Sequence, residues 1–415
     1  LVGTATAAAS ATTTPTATPI ATETSSATPQ PTNTATATSA SAVTATVLST
    51  GTATATGTAT ATFMATATFM ATATIAPPSI PTSVGSMAVK ASDSGVAPRL
   101  AQDPVGYAFT SLVAGGAHTC GLLATGAAYC WGSNSNGQLG NGSAGVGSVS
   151  ATPVAVGGGL TFTSLFARSS YTCGLLADGR AYCWGSNSGA QLGDGTTTNR
   201  SVPVAVSGDQ RFTRLALGGI FSCGLTTGGL AYCWGYNLFP GYPSSPSAVT
   251  GGLQFTDIVS GWGHACGLTP AGTAYCWGRN TYGVLGDGTS GSYSNNPVPV
   301  SGGHAFTALI AGGDHTCGLT GDGTAYCWGD NASGQIGDGT SGSYRDDHSI
   351  IRTAPVAVVG GAAFVALFGG SSHSCGLTAT GSAHCWGSNT SGQVGDGSTT
   401  NRASPTMVGG GHAFA

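Results

Sequence analysis

Charged side chains are scarce in this chain of 415 residues. They make up 6 % of it, with a net charge of -4, one lysine (Lys90) and one glutamate (Glu23). A protein that binds DNA or RNA needs a basic stripe to match the phosphates, so no nucleic-acid partner is predicted. No run of about 18 apolar residues occurs, so no membrane span is predicted. The chain begins at Leu1 without a basic segment followed by an apolar core, so we expect a signal peptide to be absent from these residues or already removed.

The usual signatures of catalysis are also missing. There are no paired carboxylates at a fixed spacing, no glycine–serine nucleophile elbow and no phosphate-cradling loop. We therefore predict that the protein is not an enzyme and uses no cofactor or metal. Aspartate–glycine pairs recur, but each supplies one carboxylate, whereas calcium needs about six to eight oxygens, so turn chemistry explains them. Their positions are Asp194, Asp287, Asp338 and Asp396, with Asn141 as the equivalent in the first repeat.

The first quarter of the chain is rich in threonine, alanine, proline and serine. Such a segment has too few large apolar side chains to offset the entropy lost on ordering. We therefore predict a low-complexity segment over residues 1–104 and a folded domain over residues 105–415. Two roles stay open for the segment: a surface stalk or linker, which O-glycosylation would suit, and a plain disordered tail.

The remainder is built from a repeat centred on Ala-Tyr-Cys-Trp-Gly. The motif occurs intact five times and once with His384 in place of tyrosine, at intervals of 43 to 58 residues. The copies begin at Ala128, Ala181, Ala231, Ala274, Ala325 and Ala383. Short alternating strands between glycine-rich turns, about four per unit of roughly 50 residues, are typical of a propeller blade. The sequence therefore predicts an all-β fold, a β-propeller with six complete repeats.

The repeated pattern resembles the regulator of chromosome condensation (RCC) repeat. The consensus of the units is HTCGL, a turn with DG, then AYCWG.N..GQ.GDGT, and the units extend from Tyr107 to the end of the chain. The resemblance implies a seven-bladed propeller. Because Gly409 to Ala415 match the opening of another repeat, we expect a seventh blade that is truncated here, with a ring closed by this tail as the alternative. The third repeat lacks the Gly-Gln-Leu-Gly-Asp-Gly turn.

All twelve cysteines belong to the repeats, two in each and ten positions apart. If residues 124–126 form a three-residue hairpin loop with a left-handed glycine, Leu123 faces Ala127 and Cys120 lies opposite Cys130. Opposed residues on antiparallel strands have Cα atoms about 4.5 to 5.5 Å apart, within disulfide range. The same count pairs Cys173 with Cys183, Cys223 with Cys233, Cys266 with Cys276, Cys317 with Cys327, and Cys375 with Cys385.

Disulfides at these positions would have two consequences. Each would close a short loop and contribute about 2 to 3 kcal/mol, and the set implies an oxidising compartment. One competing interpretation is zinc, because four histidines stand two residues before a cysteine, although Tyr171 and Phe221 occupy that place in the second and third repeats. The four are His118, His264, His315 and His373. Free buried thiols are the other alternative.

Aromatic and basic residues outside the regular pattern are the candidates for binding. Six tryptophans recur with the repeat and are predicted to pack between blades: Trp131, Trp184, Trp234, Trp277, Trp328 and Trp386. Trp262 instead replaces a small residue in the glycine turn after a first strand, so it should lie near the axis or on a face. The variable loops supply tyrosine and arginine, which are favoured at interface hot spots. The partner-binding candidates are Trp262, Tyr236, Phe239, Tyr293, Tyr344, Arg345 and Arg352.

Two classes of function follow. The first is a monomeric protein-binding module, secreted or on the cell surface of a bacterium, whose variable loops are held by a rigid scaffold. Secreted bacterial members of the RCC repeat family include a beta-lactamase inhibitor protein, so inhibition of an extracellular enzyme is a further alternative. The second class, implied by the resemblance, is guanine-nucleotide exchange on a small GTPase with binding to chromatin. Paired cysteines and the low basic content argue against that role, and fold alone does not carry function between relatives.

Overall fold

The computed structural model describes residues 106–236, 243–291, 293–342 and 350–414. Within these ranges the chain forms 24 β-strands, arranged as six antiparallel sheets of four strands each. Every sheet uses four consecutive strands in chain order, so the prediction of an all-β propeller with six complete repeats is confirmed. The described part of the chain holds no helix that is long and apolar enough to cross a membrane. The predicted low-complexity segment, residues 1–104, lies outside the described residues.

The first three blades lie in the first half of the domain. Blade 1 contains β1 (Phe109–Ala114), β2 (His118–Leu123), β3 (Ala128–Ser133) and β4 (Val149–Ala155); blade 2 contains β5 (Phe162–Arg168), β6 (Tyr171–Leu176), β7 (Ala181–Gly185) and β8 (Arg200–Ala205); blade 3 contains β9 (Phe212–Leu217), β10 (Phe221–Thr226), β11 (Ala231–Gly235) and β12 (Ser247–Ala248). The short β12 belongs to the repeat whose sequence is irregular.

The other three blades follow the same order. Blade 4 contains β13 (Asp257–Ser260), β14 (His264–Leu268), β15 (Ala274–Arg279) and β16 (Tyr293–Pro299); blade 5 contains β17 (Phe306–Ala311), β18 (His315–Thr320), β19 (Ala325–Gly329) and β20 (Arg352–Ala357); blade 6 contains β21 (Phe364–Gly369), β22 (His373–Thr378), β23 (Ala383–Gly387) and β24 (Arg402–Met407). First strands of successive blades contact one another, so these strands are the innermost and surround the axis.

The central hairpin of each blade has the register that the sequence predicts. In blade 1 the Leu123 N–H donates to the Ala127 carbonyl at 2.9 Å, and Gly126 takes a φ of 80° that an L side chain rarely adopts. This turn places Cys120 opposite Cys130. All twelve cysteines form disulfides with their partner ten residues away, and none is free. The Cα atoms of Cys120 and Cys130 are 4.0 Å apart, slightly closer than expected.

Neighbouring blades are joined through the repeated tryptophans. The Trp234 side chain of blade 3 is fully buried, and its Nε1–H donates to the Gln191 carbonyl of blade 2 at 2.9 Å. Gly193 allows this approach: its φ is 70°, and a Cβ there would stand 2.5 Å from the indole Nε1. Trp184, Trp328 and Trp386 make the same bond to the preceding blade. The prediction that these tryptophans pack between blades holds for all five that follow another blade.

One of these bonds is missing among the described residues, in the blade that follows the irregular third repeat. Trp277 of blade 4 is fully buried, but its Nε1–H has no acceptor among the described residues. In the other pairs the acceptor is the carbonyl of Gln138, Gln191, Val284 or Gln335, which belongs to the glycine-rich turn of the preceding blade. The third repeat lacks that turn in its sequence, and residues 237–242 of its loop lie outside the described residues.

The first and last blades each have a side that no described blade covers. Leu112 of blade 1 is 36 % exposed, whereas the equivalent Leu309 of blade 5 is 2 % exposed. At the other end, the Phe414 N–H donates to the Gly381 carbonyl at 2.8 Å, the bond that Phe364 makes with Gly323 at the start of blade 6. Residues 409–414 therefore begin a further repeat, as the sequence match indicated, and a seventh blade stays a prediction.

Candidate functional site

The two ends of the propeller carry different kinds of connection. Within each blade, the turn between the first and second strands and the loop between the third and fourth strands lie at the same end, because the strands are antiparallel. We call this end the loop face. The opposite end, the turn face, carries the short hairpin turn between the second and third strands and the link to the next blade. The repeats differ in length in the loop between the third and fourth strands, which lies on the loop face.

Four of the predicted binding residues are described, and all lie on the loop face. Trp262 is in the first turn of blade 4 and is 48 % exposed. Tyr236 follows β11 and Tyr293 begins β16, with exposures of 40 % and 44 %. Arg352 begins β20. Phe239, Tyr344 and Arg345 lie outside the described residues.

Backbone hydrogen bonds join blades 1 and 2, and blades 3 to 6, around the axis at this end. Gly116 donates to the Ser169 carbonyl at 2.7 Å, and Gly219 donates to the Trp262 carbonyl at 3.2 Å. Trp262 then donates to the Gly313 carbonyl at 2.8 Å, and Gly313 donates to Ser371. Trp262 is therefore part of this axial belt, with its indole exposed beside the axis where other blades have glycine or serine. The structure thus agrees with the predicted place of Trp262.

Arg168 is an axial residue that the sequence reasoning missed. It takes the position held by Gly115, Gly218, Gly261, Gly312 and Gly370 in the other blades. At Gly115 an added Cβ would stand 2.2 Å from the His118 imidazole, so a side chain is excluded wherever histidine follows. Blade 2 has Tyr171 in place of that histidine, and its hydroxyl turns away to donate to the Phe221 carbonyl at 2.6 Å. At Gly218 an added Cβ would likewise stand 2.1 Å from the Phe221 ring, so the exchange of histidine for an aromatic ring does not by itself explain the space for Arg168.

The Arg168 side chain crosses the axis. Its Nη2 donates at 2.9 Å to the carbonyl of Gly312 in blade 5, which lies 144 residues later in the chain. Arg168 is also one of the charges that lower the pKa of His264 and of His315, after the larger effect of their own burial. The guanidinium therefore lies in the channel between blade 2 on one side and blades 4 and 5 on the other.

A shallow cavity of about 250 Å³ opens beside Trp262. It is lined by Ser169, Gly219, Ile220, Trp262 and Arg279, from blades 2, 3 and 4. We call this region the axial mouth, defined by Arg168, Ser169, Ile220, Trp262, Arg279 and Asp314.

The two exposed tyrosines join the axial mouth through the backbone. Arg279 of β15 lies opposite Tyr293 of β16 in the sheet. The backbone N–H of Arg279 donates to the carbonyl of Gly263, which is next to Trp262. The Tyr236 N–H donates to the Ile220 carbonyl at 3.0 Å. The structure therefore brings together Trp262, Tyr236 and Tyr293, three residues that the sequence singled out separately.

The charges of the axial mouth are unevenly paired. Arg279 holds Asp314 at 2.6 Å and lies over the Tyr282 ring, 5.8 Å from its centroid. Burial raises the pKa of Asp314, although the Arg279 charge opposes the shift. Arg168 forms no ion pair with any described residue, and burial lowers its pKa. The site therefore contains one guanidinium that forms an ion pair with a carboxylate and one that forms none with a described residue.

Arg352, another candidate, has a partner that recurs through the repeats. Its Nε donates to Asp338 Oδ2 at 2.6 Å, and Arg200 and Arg402 bind Asp194 and Asp396 in the same way. Burial raises the pKa of Asp194, but hydrogen bonds from Thr196 and Arg200 outweigh it, so the pKa lies below its usual value. These aspartates are therefore already occupied by hydrogen-bond donors, which agrees with the turn interpretation.

No metal site is formed by the residues that the structure describes: no three histidine, cysteine, aspartate or glutamate side chains are placed to share an ion. The zinc alternative also loses its ligands, because every cysteine is in a disulfide. The histidines instead bridge blades. His118, His264 and His315 each place Nε2 at 2.8 Å from a hydroxyl of the next blade, on Thr172, Thr316 and Ser374. Where Phe221 replaces the histidine, the next blade has Ala265 in place of the hydroxyl.

The bridging histidines predict how stability depends on pH. Burial lowers the pKa of His264 and His315 to about 3 and of His118 to about 4, from an ordinary 6.5. Below pH 6.5 these histidines are protonated in the unfolded chain but stay neutral in the folded state. The free energy of unfolding should therefore decrease as the pH is lowered, by up to about 1.4 kcal/mol per pH unit for each histidine. Carboxylates with lowered pKa add to this only below about pH 4, and Asp314, whose pKa is raised, acts in the opposite direction.

The double variant His315→Phe/Ser374→Ala checks this origin, because it copies the Phe221–Ala265 pair already present between blades 3 and 4. Urea unfolding followed between pH 6.5 and about pH 4.5 should show a slope reduced by about 1.4 kcal/mol per pH unit, with the fold retained at neutral pH. An unchanged slope would mean that His315 is not held neutral in the folded state.

A second cavity, of about 230 Å³, lies on the turn face. Its lining includes Tyr182, Val206 and Phe212. These are positions of the regular repeat, so this cavity follows from blade packing. The axial mouth differs, because Arg168 and Trp262 stand where other blades have glycine or serine. The axial mouth is therefore the stronger candidate for a function specific to this protein.

The fold and its disulfides define a β-propeller of four-stranded blades, each closed by a disulfide across its central hairpin. A family model described as an RCC1-like domain matches residues 82–410. The chain therefore belongs to the RCC1-like domain family. The match begins within the segment predicted to be of low complexity, and it agrees with the resemblance in the repeats.

Solved structures show the same fold. Prp20p from Saccharomyces cerevisiae is 22 % identical, with a TM-score of 0.64, over 76 % of this chain and 80 % of that chain. Yeast RCC1 (Prp20) bound to Kap60 is 22 % identical, with a TM-score of 0.63, over 73 % and 75 %. Human WBSCR16 is 19 % identical, with a TM-score of 0.63, over 74 % and 83 %. At these identities the likeness extends to the fold alone.

Proposed function

We propose that the protein is a protein-binding module that acts outside the reducing cytosol and binds its partner with the loop face, centred on the axial mouth. The observation that carries this is the clustering of departures from the repeat. Arg168 and Trp262 come from different blades and both replace small axial residues, yet they bind the carbonyls of two consecutive residues, Gly312 and Gly313. Exposed Tyr236 and Tyr293 adjoin the axial mouth. Tryptophan, tyrosine and arginine are the residue types that dominate protein interfaces.

The disulfides support a location outside the cytosol. The cytosolic thiol pool keeps cysteines reduced, so the six disulfides of this protein suit an exported protein. The threonine- and proline-rich segment suits a spacer to a cell surface. The proposed module has no chemistry of its own, and blockage of an extracellular enzyme is one way in which it would act.

Guanine-nucleotide exchange is the second candidate, and it rests on the family. Prp20p was described with its binding properties to Gsp1p and histones, and yeast RCC1 (Prp20) was described bound to Kap60. Those partners belong to these proteins, and the shared fold does not transfer them. Acceleration of nucleotide release from a small GTPase by the oxidised protein would favour this candidate over ours.

The proposal is tested by capture of a partner with matched variants of the two faces. The loop-face variant is Trp262→Gly/Tyr293→Val, which restores residues found at the equivalent places of other blades, Gly219 and Val149. The turn-face control is Leu230→Thr, which copies Thr324 and removes a side chain that is 41 % exposed. An extracellular protein bound by the wild type should lose about 30-fold or more in affinity for the loop-face variant and bind the control unchanged. Equal binding to the loop-face variant, or a loss confined to the control, would refute the proposal.

A further inference from the structure

The Arg168 guanidinium has more hydrogen-bond donors than the protein uses. A guanidinium carries five N–H groups in a fixed fork, and Arg168 makes one described bond, to the Gly312 carbonyl. A partly buried charge is costly unless it is paired, and a neutral carbonyl compensates little of it. Arg168 nevertheless replaces a glycine that the other five blades keep. A purely structural bridge across the axis would not need an ionised group.

The charge of the axial mouth limits what it can bind. Arg168 and Arg279 are positive and Asp314 is negative, and Asp314 is engaged by Arg279 at 2.6 Å. The site therefore carries one unmatched positive charge, which suits a monoanion better than a dianion. Asp314 also acts on Arg168 through its charge, but it forms its ion pair with Arg279.

The cavity next to Arg168 has an apolar part. Ser169, which follows Arg168 in the chain, lines it together with the exposed Trp262 indole and Ile220. The Arg168 guanidinium binds the Gly312 carbonyl, and the Trp262 N–H binds the carbonyl of the next residue, Gly313. A carboxylate pairs with guanidinium through two parallel N–H···O bonds, and its aliphatic stem can pack on an indole. A glutamate or aspartate side chain has both the carboxylate and the aliphatic stem, a few bonds apart.

We propose that the axial mouth binds the carboxylate of an acidic side chain from the partner protein, with Arg168 as the charge partner and Trp262 as the packing surface. This proposal rests on the proposed function. It predicts that the segment of the partner that contacts the axial mouth has a glutamate or aspartate next to an apolar residue. Ser169 and Gly219 keep the approach open because they carry small or no side chains.

Short peptides test the inference without knowledge of the partner. The probe is acetyl-Gly-Phe-Glu-Gly-amide, compared with the same peptide carrying glutamine or phosphoserine in place of glutamate. Binding to the oxidised protein is measured by calorimetry and by the indole N–H resonance of Trp262. The glutamate peptide should bind roughly tenfold or more tightly than the glutamine peptide, the loss expected for a charge-assisted hydrogen bond. The phosphoserine peptide should bind no more tightly than the glutamate peptide.

Variants assign the effect to Arg168. Arg168→Gly copies the residue of the other five blades and should abolish the preference for glutamate over glutamine. Arg168→Lys keeps the charge but loses the fork, so it should retain part of the preference. Arg211→Ala on the turn face should change nothing. Thermal unfolding of each variant, monitored alongside binding, shows that the fold is retained.

Three results would overturn the inference: equal affinity or no binding for the glutamate and glutamine peptides, an unchanged preference in Arg168→Gly, or tighter binding of phosphoserine. A wrong acidic contact can be distinguished from a wrong proposed function. If a captured partner depends on Trp262 and Tyr293 but not on Arg168, the loop face remains the binding surface and the acidic contact is wrong.

Discussion

Reduction of the disulfides should unfold the propeller at ambient temperature once the reductant reaches them. Each bond closes a loop of ten residues and contributes about 2 to 3 kcal/mol. Six such terms together match or exceed the total stability of an ordinary domain, about 5 to 15 kcal/mol. Circular dichroism and thermal melts with and without reductant, after a brief denaturing step, measure the loss. A melting temperature that does not change would contradict the stabilising role of these bonds.

The order of reduction provides an internal control. Both sulfurs of Cys317–Cys327 lie in fully buried residues, whereas Cys375 of blade 6 is partly exposed because no described blade covers it. Mild reduction under native conditions should therefore open Cys375–Cys385 first, as mapped by alkylation and mass spectrometry. Removal of one buried pair, in Cys317→Ala/Cys327→Ala, should lower the free energy of unfolding by about 2 to 3 kcal/mol and leave the fold intact.

Replacement of one inter-blade tryptophan should be the most destabilising single substitution. Trp234→Ala removes a fully buried indole and its hydrogen bond to Gln191, so we expect a loss of about 3 to 5 kcal/mol. Trp131 has the same place in blade 1, but it is partly exposed and follows no described blade. Trp131→Ala should cost less than half as much, because part of its surface stays in water.

Denaturant unfolding of both variants measures the difference. The slope of free energy against denaturant should stay the same if both proteins retain one cooperative propeller. Equal losses for Trp131→Ala and Trp234→Ala would mean that the indole of blade 1 is covered as fully as the others.

The fold could be predicted from the sequence because its determinants are local and repeated. The ten-residue spacing of Cys120 and Cys130 spans one hairpin, so the register follows from the turn that contains Gly126. The tryptophan after each second cysteine recurs with the blade, so its packing role could be inferred from periodicity. The structure added the physical detail: in Trp184, Trp234, Trp328 and Trp386 the Nε1–H donates to a carbonyl of the preceding blade, and no described residue accepts the Nε1–H of Trp277.

The site was predicted only in part because it is formed by residues far apart in the chain. Trp262 was found because it interrupts a glycine turn. Arg168 interrupts the same turn in blade 2, and alignment of the repeats position by position would have revealed it. Its contact with Gly312 depends on the curvature that brings blades 2 and 5 to opposite sides of the axis, which no local pattern encodes. Arg352 shows the converse: its place in a variable loop suggested binding, but it has the same ion pair as Arg200 and Arg402.

Hydroxyl-radical footprinting of the protein with its captured partner tests the central claim most directly. Side chains on both faces are exposed enough to be oxidised, so one experiment reads both surfaces. The account predicts protection of Trp262, Tyr236 and Tyr293 on the loop face, with Leu230 and Met407 on the turn face oxidised as in the free protein. Protection of Leu230 and Met407, with Trp262 left as reactive as before, would show that the partner binds the other end of the propeller.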